Sequence, residues 1–207
     1  MSLSLVDESV QTWLRTWVSD SRFSHSVRVA QTAQALAKQW NVNPEYAYFS
    51  GLLHDAAKSS TPAIFDTLGI KTPRWVQTIY SEYPPVWHAF SGPYLAKYQW
   101  GPLPSQITSA MRFHTTGNAH MTVLEQLLFI ADFIEPGREH PATAYIRDLA
   151  FTHLDEAVFS IVSLSITHLI QKGRRIHPKS FACHDFYLGK ISPSRCQELM
   201  GRLWETL

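Results

Sequence analysis

Apolar residues recur at helical intervals from one end of this chain to the other, and no repeated period-two run bounded by turn residues interrupts them. Leu5, Val6, Val10, Trp13, Leu14, Trp17 and Val18 make the first stripe, with Ser4 and Asp7 as its capping start. An alanine-rich segment over 27–40 ends near Asn41, and His25 opens that helix. Pro44, after Asn43, suits a first helical position, where the missing N–H is no loss. Thr61-Pro62 and Thr72-Pro73 repeat the pattern, and Tyr83-Pro84-Pro85 is a break. Helical character returns over 88–98 and 104–113. Thr122 and Glu125 form a capping box ahead of Leu127, Leu128, Ile130 and Ala131, and Pro136-Gly137 stops that helix. The longest periodic segment runs over 154–172 to Gly173, and Pro193 opens a short last helix carrying Leu199, Leu203 and Trp204. There is no Asn-Gly or Asp-Gly hairpin and no internal repeat. The expected fold is all-α: one helical domain with a short C-terminal helical extension.

Composition narrows the function. A chain of 207 residues fits one domain with a real core. The 18 basic and 17 acidic residues nearly cancel, so bulk nucleic-acid binding is not expected. No stretch approaches the roughly 20 apolar residues of a membrane span, and the N-terminus lacks a basic region followed by an apolar core. Cys183 and Cys196 are expected as free thiols in a reducing cytoplasm. The helix from Pro193 offers a contact face for a homodimer, with core packing as the plainer use.

The chemistry lies in histidines and aspartates. His54 and Asp55 close an apolar stretch, so the carboxylate stands near a helix C-terminus, where negative charge is disfavoured. A metal would compensate it, and so would Lys58, three residues on, in an ordinary surface ion pair. Asp132 interrupts the apolar run 127–134, a costly place for a carboxylate without a cation or several donors. His25, His88 and His114 each sit in or beside a helical pattern, and each alone reads as a satisfied imidazole. Together the six residues have the donors for two divalent metals sharing one carboxylate. His120, His140, His153, His168, His177 and His184 lack an acidic partner at ligand spacing. No Cys-x-x-Cys, His-Glu-x-x-His, Gly-rich phosphate loop or Gly-x-Ser-x-Gly elbow is present.

The ordered set His25, His54-Asp55, His88, His114, Asp132 resembles the metal-binding pattern of HD-domain phosphohydrolases. The segments Gly51-Leu-Leu-His-Asp-Ala-Ala-Lys58, Arg112-Phe-His-Thr-Thr-Gly117 and Ile130-Ala-Asp-Phe-Ile-Glu-Pro-Gly-Arg138 look like the YqeK family in particular. The resemblance covers roughly residues 8–188. It implies an HD bundle over 1–188 with an added helix in 189–207. It also implies hydrolysis of diadenosine tetraphosphate, a dinucleoside polyphosphate, to two ADP. Two divalent ions are implied, usually iron, with manganese, cobalt, nickel and zinc also suited to such ligands. His25, His54, Asp55 and Asp132 would hold the first ion, Asp55 would bridge, and His88 with His114 would hold the second. Asn118-Ala119-His120 departs from the Arg-Pro-Gly expected after the Thr-Thr-Gly turn.

Two metals would cancel phosphate charge and acidify a shared water, giving a hydroxide at the bridge for in-line attack. Asp55 and Lys58 would be the catalytic pair, Lys58 neutralising charge that develops on a phosphate oxygen. Arg28, Lys58, Thr115, Thr116 and Arg138 would contact substrate, Arg138 through its planar fork. Glu135, one turn after Asp132, would accept from a ligand histidine or be a plain surface acid. Two alternatives stay open: another HD enzyme acting on nucleoside mono-, di- or triphosphates, and a nucleotide-sensing module with a vestigial centre.

Overall fold

The computed structural model describes residues 3–205. Among the described residues the helices are α1 Leu3–Trp17, α2 Asp20–Gln39, α3 Pro44–Leu53, α4 Pro62–Thr67, α5 Arg74–Glu82, α6 Trp87–Trp100, α7 Ser105–Phe113, α8 Val123–Ile134, α9 Thr143–Thr152, α10 Leu154–Gln171, α11 Pro178–Leu188 and α12 Pro193–Trp204. A 3₁₀ turn, Pro84–Val86, precedes α6, and no strand occurs among the described residues. The all-α expectation holds. The side chains of residues 1–6, and with them the Ser4 cap and the Leu5–Val6 part of the first stripe, lie outside the described residues.

Local signals explain most of the boundaries. Asn43 and Thr61 accept from backbone N–H groups at the starts of α3 and α4, each with proline inside the first turn. Thr122 and Glu125 make the reciprocal capping box of α8. Asn41 ends α2 at φ 54°, and Gly173 ends α10 at φ 59°. Three expectations change. The helix carrying His25 begins at Asp20, capped by Ser19, which accepts from Arg22 N–H, so His25 lies inside α2 rather than at its opening. That extension makes α2, with 20 residues, longer than the 18 of α10. Pro73 sits one place outside α5, with no side-chain cap, so Thr72 does not start that helix. Helices α9 and α11 lie outside the expected set: α9 starts without a side-chain cap, whereas α11 opens on Pro178 with His177 accepting from Lys179 N–H.

Two apolar clusters flank a seam. One joins one face of α2 to α8–α12 through Val29, Leu36, Leu127, Ile130, Val158 and Tyr187. The other joins the opposite face of α2 to α1 and α3–α7 through Leu14, Ala30, Leu52, Phe65, Phe90 and Met111. A Cβ on Gly51 would come within 2.6 Å of Ala30 Cα. Only glycine lets α3 lie this close on α2, and that crossing carries His54 toward His25. Leu199 and Leu203 of α12 are buried in the first cluster, so core packing, not a free contact face, takes most of that helix's apolar stripe. Trp204 alone of the three stays outside, 58% exposed. No helix of the described residues is long and apolar enough to cross a membrane.

Candidate metal centre

Five elements deliver the six residues to the seam. His25 projects from the second turn of α2, and His54 is the C-cap of α3 with Asp55 directly after it. His88 is the second residue of α6, His114 the C-cap of α7, and Asp132 lies in the last turn of α8. His25, His54, Asp55, His88 and His114 are buried, while the Asp132 side chain is 24% exposed and marks the open side. Three overlapping triads place their ligand atoms within 4.8 Å of one another: His25–His54–Asp55, His54–His114–Asp132 and Asp55–His88–His114.

Asp55 occupies the middle. Its Oδ2 lies 3.5 Å from His54 Nε2 and 4.0 Å from His25 Nε2, and its Oδ1 lies 3.1 Å from His88 Nε2 and 3.7 Å from His114 Nε2. One oxygen faces each group of histidines, which is the disposition of a bridging carboxylate. Asp132 Oδ1 is 3.0 Å from His25 Nε2 and 3.9 Å from His54 Nε2.

The rings are oriented from behind. His54 Nδ1 donates to the Gly51 carbonyl at 2.6 Å, and His114 Nδ1 to the Met111 carbonyl at 2.7 Å. Each carbonyl lies three residues back, at a helix end where it lacks a helical partner. His25 Nδ1 donates to Glu135 Oε1 at 3.1 Å. In the neutral rings all three Nε2 lone pairs therefore point inward. There they meet other electron-rich atoms: His88 Nε2 is 3.2 Å from His114 Nε2, and His25 Nε2 faces the Asp132 carboxylate. His25 Nε2, His54 Nε2 and Asp55 Oδ1 are buried without a hydrogen-bond partner. Lone pairs converging on lone pairs and carboxylates call for cations between them, and the donor set fits divalent metals.

Electrostatics agree. Burial opposes ionisation of Asp55, but His54, His114 and His88 outweigh it and hold the carboxyl below its ordinary range. Burial likewise disfavours the Asp132 carboxylate, and His25, His54 and His114 reverse the sign. Burial lowers His88 to about 4, and it lowers His114 as well, so both rings stay neutral. His54 is the exception: burial lowers it, yet Asp55, Asp132 and the Gly51 carbonyl raise it on balance. The two carboxylates thus create a field that favours positive charge at His54 Nε2.

The HD-domain family matches residues 22–137, a span that contains all six residues. The chain belongs to the HD-domain family, in its YqeK-type group. A symmetrical bis(5'-nucleosyl)-tetraphosphatase of Halalkalibacterium halodurans is 32% identical over 168 residues, spanning 81% of this chain and 89% of the relative. Its counterpart in Bacillus subtilis is 28% identical over 179 residues, spanning 86% and 96%. A crystal structure from Clostridium acetobutylicum, described as an HD superfamily hydrolase involved in NAD metabolism, shares 28% identity with a TM-score of 0.79, covering 89% of this chain and 97% of that one.

Around the HD-domain centre the other named residues divide. Lys58 Nζ lies 3.4 Å from Asp55 Oδ1 and 3.1 Å from His88 Nε2, with its side chain 36% exposed. Arg138 folds back on Asp132, Nη2 to Oδ1 at 2.7 Å and Nε to the main-chain carbonyl at 2.9 Å. Thr115 Oγ1 is 2.9 Å from His114 Nε2 and 3.3 Å from His88 Nε2. One expected substrate contact is corrected. Thr116 is buried, and its hydroxyl donates to the Gly117 carbonyl at 2.8 Å, so it builds the turn. Arg28 spends Nε and Nη2 on Glu135, at 2.5 and 3.2 Å, with its side chain 36% exposed. A Cβ on Gly137 would sit 2.6 Å from Arg28 Nη2, so glycine is what admits this guanidinium.

Glu135 is no surface acid. It is buried, accepts also from Gly137 N–H at 2.6 Å, and is drawn to about 2: burial opposes the charge, but Arg28, Gly137 and His25 prevail. Arg22 had not been singled out; its Nη1 lies 2.8 Å from Asp55 Oδ2. Its signal is position i−3 from His25, visible only once α2 is extended to Asp20. At the departure from the family pattern, His120 takes φ 56°, a conformation glycine adopts freely, and Asn118 receives Lys179 Nζ at 2.8 Å.

Proposed function

We propose that this chain is a metal-dependent hydrolase that cleaves diadenosine tetraphosphate to two ADP. The observation that carries the reading is the six-residue centre, with Asp55 facing histidines through both oxygens. The names of two relatives about 30% identical over most of the chain give the substrate. His25, His54, Asp55 and Asp132 are assigned to one ion, and His88, His114 and the second oxygen of Asp55 to the other. Iron is the proposed metal on the resemblance to the YqeK family; the imidazole and carboxylate donors themselves suit manganese, cobalt, nickel and zinc as well. When bound, two such ions would supply phosphate charge cancellation and an acidified water. Free Cys183 and Cys196 suit a cytoplasmic setting. Residues 1–188 are assigned to the HD domain and 189–207 to an extension that caps its core.

The chain's own residues supply the rest. Glu135, Gly51 O and Met111 O hold three imidazoles in the tautomer that aims Nε2 inward. Arg22, Lys58 and Arg138 stand on the open side, each side chain about a third or more exposed. There they can exchange a carboxylate for the oxygens of a polyphosphate, Arg138 with a bidentate fork and Lys58 as a point charge on the leaving phosphate. Thr115 offers a hydroxyl beside His88 and His114.

A substrate panel tests the reading. Iron-loaded enzyme should turn over diadenosine tetraphosphate with kcat/KM at least roughly a hundredfold above that for deoxynucleoside triphosphates and nucleoside monophosphates. A preference for either of those would keep the centre and reject the substrate.

A further inference from the structure

We infer that Arg112 and Lys179 form a second anion site, outside the metal centre, which takes the phosphate of a nucleotide whose base rests on Trp75. Arg112 stands two residues before His114, roughly 200° around the helix, so the two side chains leave α7 in opposite directions. Its guanidinium makes no ion pair among the described residues, and its Nε is buried without an acceptor. Lys179, in the first turn of α11, reaches Asn118 Oδ1 at 2.8 Å and lies 5.1 Å from the centre of the Phe113 ring, with no carboxylate beside it. Burial and then Arg112 push the Lys179 ammonium below its ordinary range, so the two cations feel one another.

Half-buried like charges without an acid between them are unfavourable, and so is a buried N–H without an acceptor. One bound anion removes both penalties. Phosphate suits this pair, a planar fork beside a point charge.

The aromatic side supports a base. Trp75 is 46% exposed, and its ring centre lies 5.8 Å from Arg112 Cζ. Phe90 meets it edge-on at 6.1 Å and 89°, and the Arg112 guanidinium lies over the indole, so the exposed ring and the cation form one surface. His177, stacked on Phe90 at 5.4 Å, accepts from Lys179 N–H and ties α11 to the same wall. An exposed indole beside two unpaired cations matches a base followed by a phosphate. The inference does not depend on which phosphoanhydride the metal centre cleaves.

The test reads bound ADP and bound metal, not turnover, so failure of the proposed hydrolysis leaves it intact. Metal-loaded enzyme is dialysed against labelled ADP over a range of concentrations. Arg112→Gln with Lys179→Gln should weaken one class of bound ADP roughly tenfold or more, with metal content unchanged. Trp75→Ala, at an exposed position, should weaken the same class and serves if the double variant fails to fold. Inorganic phosphate should compete for that class at least roughly tenfold less well than ADP. ADP binding that none of these substitutions weakens would overturn the site, and equal competition by phosphate would remove the base from it.

Discussion

The two sides of the metal centre are built to different standards. On one side, His25 is braced by Glu135, which is itself gripped by Arg28 and the Gly137 N–H, and His54 is braced by the Gly51 carbonyl. On the other, His114 has its Met111 carbonyl, but the hydrogen-bonding contacts of His88 among the described residues all run through Nε2, to Lys58, His114 and Thr115. On the proposed two-ion assignment, the braced side would lose little freedom on binding, whereas His88, buried but without a partner on Nδ1 among the hydrogen bonds of the described residues, would be oriented by what it binds. The proposal then separates retention from exchange: the ion of the braced side should be the harder to remove.

The harshest way to break this contrast is to remove what both sides share. Asp55→Ala should abolish loading of both ions and lower turnover roughly a thousandfold or more, as read by metal analysis of the purified variant beside its activity. His88→Ala should lower turnover comparably but leave one ion per chain, whereas His25→Ala should leave fewer; equal losses would erase the asymmetry. Glu135→Ala should weaken the tighter ion roughly 10–100-fold and leave the other within experimental error, measured by competition with a chelator. Glu135→Gln, which keeps an acceptor for His25, should recover much of that loss. The smallest effect is expected for Thr115→Val, a decrease of roughly tenfold or less in kcat/KM, with metal content unchanged.

Sequence reading went further in the centre than around it, for a physical reason. An ionised Asp132 inside an apolar run, or Asp55 at a helix C-terminus, violates a local rule, and such violations stand out one residue at a time. The frame obeys local rules. Glu135 reads either as an acceptor for a ligand histidine or as a surface acid, and its bond to His25 bears out the first; Arg28 reads as a solvated cation and Gly137 as a helix stop, and their shared contact with Glu135 appears only when α2 and α8 meet. Arg22 was missed because the polar start of α2 resembles a loop until Ser19 is seen to cap it. Thr116 reads as a substrate contact from its place beside His114, whereas its hydroxyl is spent on the turn. The all-α fold was legible because capping boxes, proline starts and helical periodicity agree over most of the chain. Helix α9 escaped because it opens without a side-chain cap, and α11 because its buried positions, Ser180, Cys183 and Tyr187, make no apolar stripe behind its Pro178 start.

The most direct test of the central claim is the identity of the products. Protein purified without oxygen and loaded with ferrous iron is incubated with diadenosine tetraphosphate, and the nucleotides are resolved by chromatography. ADP as the sole product, lost on chelation and restored by metal, is the predicted result. AMP with ATP, or no turnover by a sample shown to carry two ions per chain, would contradict it.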